Sequence, residues 1–510
     1  MSKARERGLV ALAAVAMMGM AASAAGQTWN LYDGYVSAPS ISFAPMNYRS
    51  DGQNLNQAAI ISLTMSNGTN GTLTNGFVMD TGSTGIIATA DKFQPGANDK
   101  AVGTGFQYYS SSGRQENGTF YQTDVVINDK EGNAVATSQV TVLQVTSVTC
   151  RFTDKGCVPS SNPTGVAYMG VGFDRGVSSL TPPSPFNNTN PFTNVVSLAN
   201  GAPMANYRQG YRITNDGVTL GISTATTSGF GFVKLQPDTA GTQPDPAWLS
   251  APMTVAVNGV AGNGNILPDS GIDYAFLTPP AGTVVQTGPC PQPPGGNGCI
   301  VPSSNTQIDI FLPGQTAPVG SYTFNTGDTG NPTQPSSVQV IADGPSIFIN
   351  TGRQFYAGFE YVYDAVGGFV GYRWTDPAGA SGASSSTVAL IGDVNLQNGF
   401  SSTMPSYLMG ATTLLQQGSG TLSGTISGLG PLTIGAGNVS LTGVNTYTGG
   451  TFVAGGATLG VQADSGMGAA SGALTLTGGT LQALANLTLA RAVVLDTGGG
   501  TFDSNGSSPR

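Results

Sequence analysis

Short runs of alternating apolar and polar residues recur along most of this chain. Between about residues 28 and 375 they include 58–65, 118–127 and 138–145, with Asn, Gly and Ser clusters between them. A period of two places one side of each run against a core, which is the pattern of half-buried strands. The same region has no long helical period, so the pattern predicts an all-β protein.

The pattern changes towards the C-terminus. Residues 376–416 open with a stretch of Ala, Gly and Ser after Pro377, which predicts a flexible linker. From 417 to 510, Leu or Ile alternates with Thr or Ser between Gly-rich turns, as in 473–478 and 487–489. Such a repeat buries one face of each short strand and stacks coil upon coil, which predicts a short parallel β-helix.

The N-terminus predicts export. Basic residues precede the apolar run 9–20, and Ala22-Ser23-Ala24 supplies the small side chains that a signal peptidase requires. We therefore expect residues 1–24 to be a signal peptide, and the mature protein to be secreted, periplasmic or at the cell surface. No later apolar run is long enough for a membrane-spanning helix, so none is expected.

Composition narrows the chemistry that this chain can perform. Its 510 residues include no histidine, which excludes Ser-His-Asp and Cys-His nucleophile systems and His-ligated zinc. The formal charge is −9, so nucleic acid is not an expected partner, because Lys and Arg hold phosphate in such complexes. We expect no metal and no cofactor. Carboxylates are the remaining agents for a hydrolytic reaction.

The cysteines form two local couples, Cys150 with Cys157 and Cys290 with Cys299. Three pairings are formally available to four cysteines, but the close spacing within each couple favours local disulfides in an oxidising exported compartment. A metal site is the weaker alternative, because no histidine is available to complete it.

Two segments place an aspartate at the end of an apolar run and follow it with a small hydroxyl residue and glycine. They are 77–83, which contains Asp80-Thr81-Gly82-Ser83, and 266–271, which contains Asp269-Ser270-Gly271. A motif of this length is decided by its context. Three further matches lack that context, since they lie in Gly-rich loops or in the repeat: Asp328, Asp464 and Asp496.

Each of the two segments also has a later partner. An apolar stretch ending in glycine follows the first at 166–172 and the second at 347–352. The separation from Asp80 to Gly170 is 90 positions, and that from Asp269 to Gly352 is 83. Similar spacings in both halves predict a duplicated lobe.

These features resemble the pepsin-like aspartic peptidases over about residues 55–375. The resemblance implies two β-rich lobes, 28–224 and 225–375, each a barrel or sandwich. It also implies a catalytic dyad of Asp80 and Asp269 at the cleft between the lobes. The residues that support such a dyad are Thr81 and Ser270, which lock the two loops together, Ser83, which orients Asp80, and the loop glycines Gly82 and Gly271.

The resemblance further implies a hairpin flap over the cleft, with Tyr109 preferred to Tyr108 as its tyrosine. Two positions depart from the family pattern. Ile272 stands where a hydroxyl residue would orient Asp269, and Pro268 removes a backbone donor just before that aspartate.

The implied activity is that of an exported aspartic endopeptidase that cleaves protein or peptide substrates with a water molecule activated by the dyad. An alternative from another class stays open, a catalytically weak or inactive pepsin-like surface protein used for binding or adhesion. A glycosidase that uses the same carboxylates is a weaker third alternative.

The C-terminal repeat carries a second resemblance. Residues 441–451, echoed at Gly479-Thr480-Leu481, resemble the repeat in passenger regions of bacterial autotransporters. This implies display at a bacterial cell surface. The sequence reaches Arg510 in mid-repeat, so we expect an incomplete repeat, and outer-membrane association through a barrel not present in this sequence stays open.

Overall fold

The structure is a computed structural model in which the alternating apolar and polar runs form β-strands. It describes residues 31–43, 57–109, 111–151, 156–175, 179–181, 189–227, 230–239, 248–290, 298–315, 318–328, 331–341, 344–374, 388–396, 398–403 and 405–506. The predicted signal peptide lies outside these residues. Among them, no helix has the length and apolar character needed to cross a membrane.

The N-terminal part of the chain contains a barrel and four strands of a further sheet that is described below. Its elements are β1 (Ile41–Ser42), β2 (Ile60–Ser66), β3 (Thr72–Asp80), β4 (Thr84–Thr89), β5 (Lys100–Tyr109), β6 (Arg114–Asn128), β7 (Ala134–Cys150), β8 (Ala167–Val171), β9 (Ser179–Thr181), β10 (Val195–Leu198), β11 (Gly210–Ile213), β12 (Gly217–Leu220), α1 (Thr224–Thr227) and β13 (Gly231–Lys234). One sheet runs in the order β10-β7-β4-β8-β3-β2-β6-β5-β9. Because β6 also pairs with β7, the sheet closes on itself.

A second sheet follows in the next part of the chain. The elements are β14 (Ala251–Val257), β15 (Val260–Pro268), β16 (Ala275–Thr278), β17 (Thr287–Gly288), β18 (Cys299–Ile300), β19 (Gln307–Leu312), β20 (Gly320–Asn325), β21 (Val338–Val340), β22 (Phe348–Gly352), α2 (Phe355–Gly358), β23 (Phe359–Asp364) and β24 (Phe369–Trp374). This sheet runs in the order β17-β18-β21-β16-β22-β15-β14-β19-β20. The predicted pair of lobes is therefore present.

A third sheet joins the two lobes. Its order is β1-β12-β11-β23-β24-β13, so three strands from 28–224 lie beside three strands from 225–375. The division expected at 224/225 thus describes the two outer sheets but not this shared one. A single apolar core extends through all three sheets, with fully buried rings that include Tyr211, Phe232 and Tyr372.

A buried ion pair fixes the shared sheet. The carboxylate of Asp364, at the end of β23, has no solvent exposure. Arg208 donates to both of its oxygens, from Nε at 3.0 Å and from Nη2 at 2.9 Å. The backbone N–H of Gly367 and the hydroxyl of Tyr32 donate to the same carboxylate. Because every partner is a donor, the buried charge is compensated.

The C-terminal part is a parallel β-solenoid. Its strands are β25 (Val388–Leu396), β26 (Ser401–Ser402), β27 (Ser406–Leu422), β28 (Ile426–Gly428), β29 (Leu432–Leu441), β30 (Thr451–Ala454), β31 (Thr458–Val461), β32 (Leu474–Thr477), β33 (Thr480–Ala483), β34 (Val493–Leu495) and β35 (Thr501–Asp503). Ile434, Val453 and Leu476 stack in register on the inner face. The predicted β-helix is confirmed.

The solenoid begins earlier than the sequence suggested. Strands β25, β26 and part of β27 lie within 376–416, the segment expected to be a linker. Residues 388–396 carry the alternating pattern of the repeat, but the small residues before them led to the prediction of a linker over the whole segment. The first coil also packs against the shared sheet, where the rings of Phe232 and Tyr407 are 6.3 Å apart and Met409 joins the core.

Both predicted disulfides are confirmed. Cys150 is bonded to Cys157 at the end of β7, and Cys290 is bonded to Cys299 at the start of β18. Short 3-10 turns complete the described secondary structure, at Gly68–Asn70, Met204–Asn206, Pro302–Ser304 and Asp464–Met467. The described residues therefore form an all-β chain in which two lobes precede a solenoid.

The ion pair at Asp364 gives a stability prediction. Asp364→Ala leaves Arg208 buried without its partner, so we expect the free energy of unfolding of the two-lobed region to fall by about 3–5 kcal/mol. Equilibrium urea denaturation followed by tyrosine and tryptophan fluorescence measures this loss. Glu131→Gln, which breaks the exposed pair between Lys130 and Glu131, is the control and should leave the midpoint unchanged. Equal midpoints for both variants would contradict the assignment.

Candidate active site

Two equivalent strand ends deliver the two aspartates to one place. β3 ends at Asp80, and β8 pairs in parallel with it so that Asp80 lies opposite Gly170. In the other lobe, β15 ends at Pro268 just before Asp269, and β22 pairs in parallel with β15. The apolar partner segments predicted from the sequence are these two bracing strands. Each aspartate therefore sits in a turn that a buried parallel strand supports.

The two turns approach each other closely. A Cβ atom added to Gly82 would lie 2.4 Å from Oδ2 of Asp269, and one added to Gly271 would lie 2.5 Å from Oδ1 of Asp80. Each glycine therefore makes room for the carboxylate of the opposite lobe. The two carboxyl groups are within hydrogen-bonding reach of each other, and each residue is at least nine-tenths buried.

Reciprocal hydrogen bonds clamp the two loops together. The backbone N–H of Thr81 donates to Oγ of Ser270 at 3.1 Å, and the backbone N–H of Ser270 donates to Oγ1 of Thr81 at 2.8 Å. The hydroxyls then donate across the interface, Thr81 to the carbonyl of Pro268 and Ser270 to the carbonyl of Met79. The structure therefore brings together all the residues that the sequence placed around the dyad.

Each carboxylate accepts two further hydrogen bonds. Asp80 accepts the N–H of Gly82 on Oδ1 at 2.7 Å and the hydroxyl of Ser83 on Oδ2 at 2.6 Å. Asp269 accepts the N–H of Gly271 on Oδ1 at 2.8 Å. Its Oδ2 accepts the side-chain amide of Asn350 at 2.6 Å. Asn350 thus supplies the side-chain donor to Asp269 that Ile272, three positions after this aspartate, cannot supply.

Asn350 was missed in the sequence analysis. It lies within the partner segment 347–352, directly before Thr351-Gly352, where the sequence drew attention only to the apolar residues and the glycine. The available signal was a polar residue inside a buried bracing strand. In β22 this residue faces the one aspartate that lacks a hydroxyl three positions later.

Burial controls the protonation of the dyad. Desolvation, followed by the negative charge of Asp269, raises the pKa of Asp80 to about 7. The hydrogen bonds from Ser83 and Gly82 act in the opposite direction, because they favour the ionised carboxylate. The titration belongs to the pair, since the two carboxyls share one environment. A proton is therefore retained between them well above the ordinary pKa of aspartate.

Two arginines lie beside the pair. Arg353 donates from Nη2 to the carbonyl of Gly271 at 2.9 Å, and Arg175 donates from Nε to the carbonyl of Phe173 at 2.8 Å. Desolvation lowers the pKa of both guanidinium groups, and the charges of Asp80 and Asp269 partly offset this effect. A cavity of about 20 Å³, lined by Thr81, Arg175 and Pro268 among others, lies behind the loops and can hold one water molecule.

The hairpin of β5 and β6 covers the site as expected of a flap. Tyr109, at the end of β5, has a buried hydroxyl, and its ring centroid lies 5.9 Å from that of Tyr168. Desolvation and then the charge of Asp80 raise the pKa of Tyr109, which places this side chain beside the dyad. Tyr108 instead stacks under the guanidinium of Arg151, 4.3 Å from its ring centroid. Of the two tyrosines, Tyr109 is thus the one that lies beside Asp80.

The flap is supported on both edges. β7 pairs with the outer edge of β6 from Gln122 to Arg114, and β9 pairs with the outer edge of β5 from Thr104 to Phe106. The N–H of Arg151 donates to the carbonyl of Gly113 at the tip of the hairpin. The Cys150–Cys157 disulfide closes the chain directly beside this contact.

Comparisons with known proteins give partial matches, and no protein-family model matches the chain. A stretch of 63 residues is 51% identical to the Adhesin BmaC autotransporter of Brucella suis biovar 1 (strain 1330). The matching stretch is 12% of this chain, and it covers 2% of the length of that protein. The aspartic proteinase from Irpex lacteus aligns over 66% of this chain and 98% of its own, with 15% identity and a TM-score of 0.41.

The raised pKa of Asp80 predicts how stability depends on pH. The folded chain keeps a proton at Asp80 up to about pH 7, whereas an unfolded aspartate releases it near about pH 4. The resulting stabilisation is complete below the unfolded pKa and is lost as pH rises through the folded pKa. Between those limits we expect the Tm of the native chain to fall relative to that of Asp80→Asn.

Differential scanning fluorimetry of both proteins across this interval tests the prediction. Asp496→Asn removes an exposed aspartate from the same three-residue motif, so its Tm should follow that of the native chain at every pH. Parallel curves for the native chain and Asp80→Asn would show that this carboxyl is not held protonated by the fold.

Proposed function

We propose that this chain is an aspartic-type endopeptidase whose dyad is Asp80 and Asp269. One observation supports this most strongly. Two buried carboxyl groups from separate lobes lie within hydrogen-bonding reach, and fixed donors hold each of them. A structural aspartate in a turn needs no second carboxylate facing it. Two like charges at such a separation cannot both ionise, so the pair carries one proton.

A pair in this state can hydrolyse an amide. The ionised carboxyl accepts a proton from a water molecule bound between the two, and the oxygen of that water attacks the scissile carbonyl carbon. The protonated carboxyl donates a hydrogen bond to the carbonyl oxygen and stabilises the charge that develops there. When the tetrahedral intermediate collapses, the C–N bond breaks and the leaving nitrogen takes up the proton that the first carboxyl accepted from water, which returns the pair to its one-proton state. The products are a carboxylic acid and an amine, and water supplies all added atoms.

The surroundings suit this chemistry. The hairpin of β5 and β6 covers the dyad, and Tyr109 lies beside Asp80 under it. Exclusion of bulk water strengthens the hydrogen bonds that act on the reacting atoms. The cleft between two lobes is also the usual place for an extended substrate. Proteins and peptides are therefore the proposed substrates.

We also propose that the protein is exported from the cytoplasm. Two disulfides persist best in an oxidising compartment, and the identity to an autotransporter adhesin supports a place outside the cytoplasm. The signal peptide predicted at residues 1–24 would direct the chain there.

The decisive test is hydrolysis of an unfolded protein such as reduced casein between about pH 3 and 7, the range in which a shared proton is expected. We expect Asp80→Asn and Asp269→Asn each to lower kcat/KM by about 10²–10⁴-fold, because each removes one half of the acid–base pair. The matched control is Asp496→Asn, which changes an identical Asp-Thr-Gly motif in the solenoid and should retain full activity. A native protein that is folded yet inert over this whole range would exclude the peptidase.

A second candidate is a surface binding or adhesion protein of autotransporter type. The observation that favours it is the 51% identity over 63 residues to a protein named as an adhesin. Binding of the purified chain to host cells or matrix proteins tests this function separately. Retention of that binding in Asp80→Asn, together with loss of hydrolysis, would assign the two functions to different surfaces. Binding without any native hydrolysis would leave adhesion as the function.

A further inference from the structure

The two halves of the dyad are built from the same motif but differ at one position. Three residues after Asp80 stands Ser83, whose hydroxyl donates to Oδ2 of Asp80. Three residues after Asp269 stands Ile272, which has no polar side-chain atom. Asn350, from a different strand, donates to the corresponding Oδ2 of Asp269 at the same distance of 2.6 Å.

The orientation of the Asn350 amide is fixed. Its Oδ1 accepts the backbone N–H of Gly352 at 3.0 Å, so its Nδ2 must face Asp269. The residue is 6% exposed, so bulk water competes little for either contact. A rotated amide would set two N–H donors against each other at Gly352 and two acceptors against each other at Asp269.

An amide NH₂ group and a hydroxyl group differ in the hydrogen bonds that they can form with a carboxyl group. The hydroxyl of Ser83 can donate to an ionised Oδ2 or, after rotation, accept from a protonated one. The NH₂ group of Asn350 can only donate, so it stabilises the ionised form and repels a proton on Oδ2. The other oxygen of Asp269 also faces a pure donor, the N–H of Gly271. Asp269 is thus surrounded by groups that favour its charge.

We infer that Asn350 is a positioning residue of the dyad, which keeps Asp269 ionised and thereby makes it the base, while Asp80 carries the proton and is the acid. This assignment rests on the proposed peptidase function. The direction of the pKa of Asp80, raised by burial and by the charge of Asp269, agrees with it. Asn350 touches no substrate itself and acts through Asp269.

The assignment predicts separate effects on the two limbs of the pH profile. Activity rises at acidic pH as the base ionises and falls at higher pH as the acid loses its proton. Asn350→Ala removes a donor to ionised Asp269, so the acidic limb of kcat/KM should move up by about 1 pH unit. Ser83→Ala removes a donor to Asp80 and should instead move the basic limb upward. A purely structural role for Asn350 would change the rate or the Tm and move neither limb.

A rescue variant makes the test specific. Ile272→Thr restores a hydroxyl at the position that matches Ser83, so Asn350→Ala with Ile272→Thr should return the acidic limb towards its native pH. If Asn350→Ala does not fold, Asn350→Leu fills a similar volume without a donor and serves in its place. Movement of the basic limb in the Asn350 variant, or no effect of Ile272→Thr, would overturn the assignment.

A second measurement does not need activity. Carbon-13 NMR of the two aspartate carboxyls, followed across pH, shows directly which of them holds the proton. We expect Asp80 to hold it in the native chain and a larger share of it to pass to Asp269 in Asn350→Ala. If the native chain hydrolyses nothing, the peptidase proposal fails, yet this titration still decides what Asn350 does. A proton held by Asp269 in the native chain, or no change on substitution of Asn350, would refute the role of Asn350 whatever the activity.

Discussion

Reciprocal hydrogen bonds between Thr81 and Ser270 hold together two loops that are 189 residues apart in the sequence. Every property of the dyad depends on this contact, because it fixes the separation of two carboxyls that repel each other when both are charged. The contact needs a small hydroxyl residue in each loop and glycine beside it. A larger residue at Gly82 or Gly271 would occupy the space of the opposite carboxylate.

The rest of the two-lobed region supports that contact at several levels. The parallel strands β8 and β22 carry the two turns, and the shared sheet keeps the lobes in one orientation. The buried carboxylate of Asp364 ties this sheet together from within. The first coil of the solenoid packs on the same sheet through Tyr407. The solenoid is thus in direct apolar contact with the two-lobed region.

Much of this could be predicted from the sequence, since the motifs around Asp80 and Asp269 are local and their duplication is visible as a spacing. The disulfides and the repeat are local features for the same reason. Asn350 was not predicted, because its contact with Asp269 crosses 81 residues and depends on the register of two parallel strands. The start of the solenoid was misplaced because small residues dominate the composition before Val388. The shared sheet mixes strands from distant segments, which no local pattern encodes.

The support of the flap on both edges has a mechanical meaning. A hairpin bonded only to itself can move away from a site at little cost, but here β6 shares a backbone ladder with β7 and β5 shares one with β9. Movement of the hairpin away from the site would break the hydrogen bonds of one of those ladders and the stacking of Arg151 on Tyr108. Movement of the hairpin away from the two carboxyls is therefore costly. Under the proposed function, a substrate would reach the carboxyls with the hairpin in place, which favours loose, extended chains over compact folded surfaces.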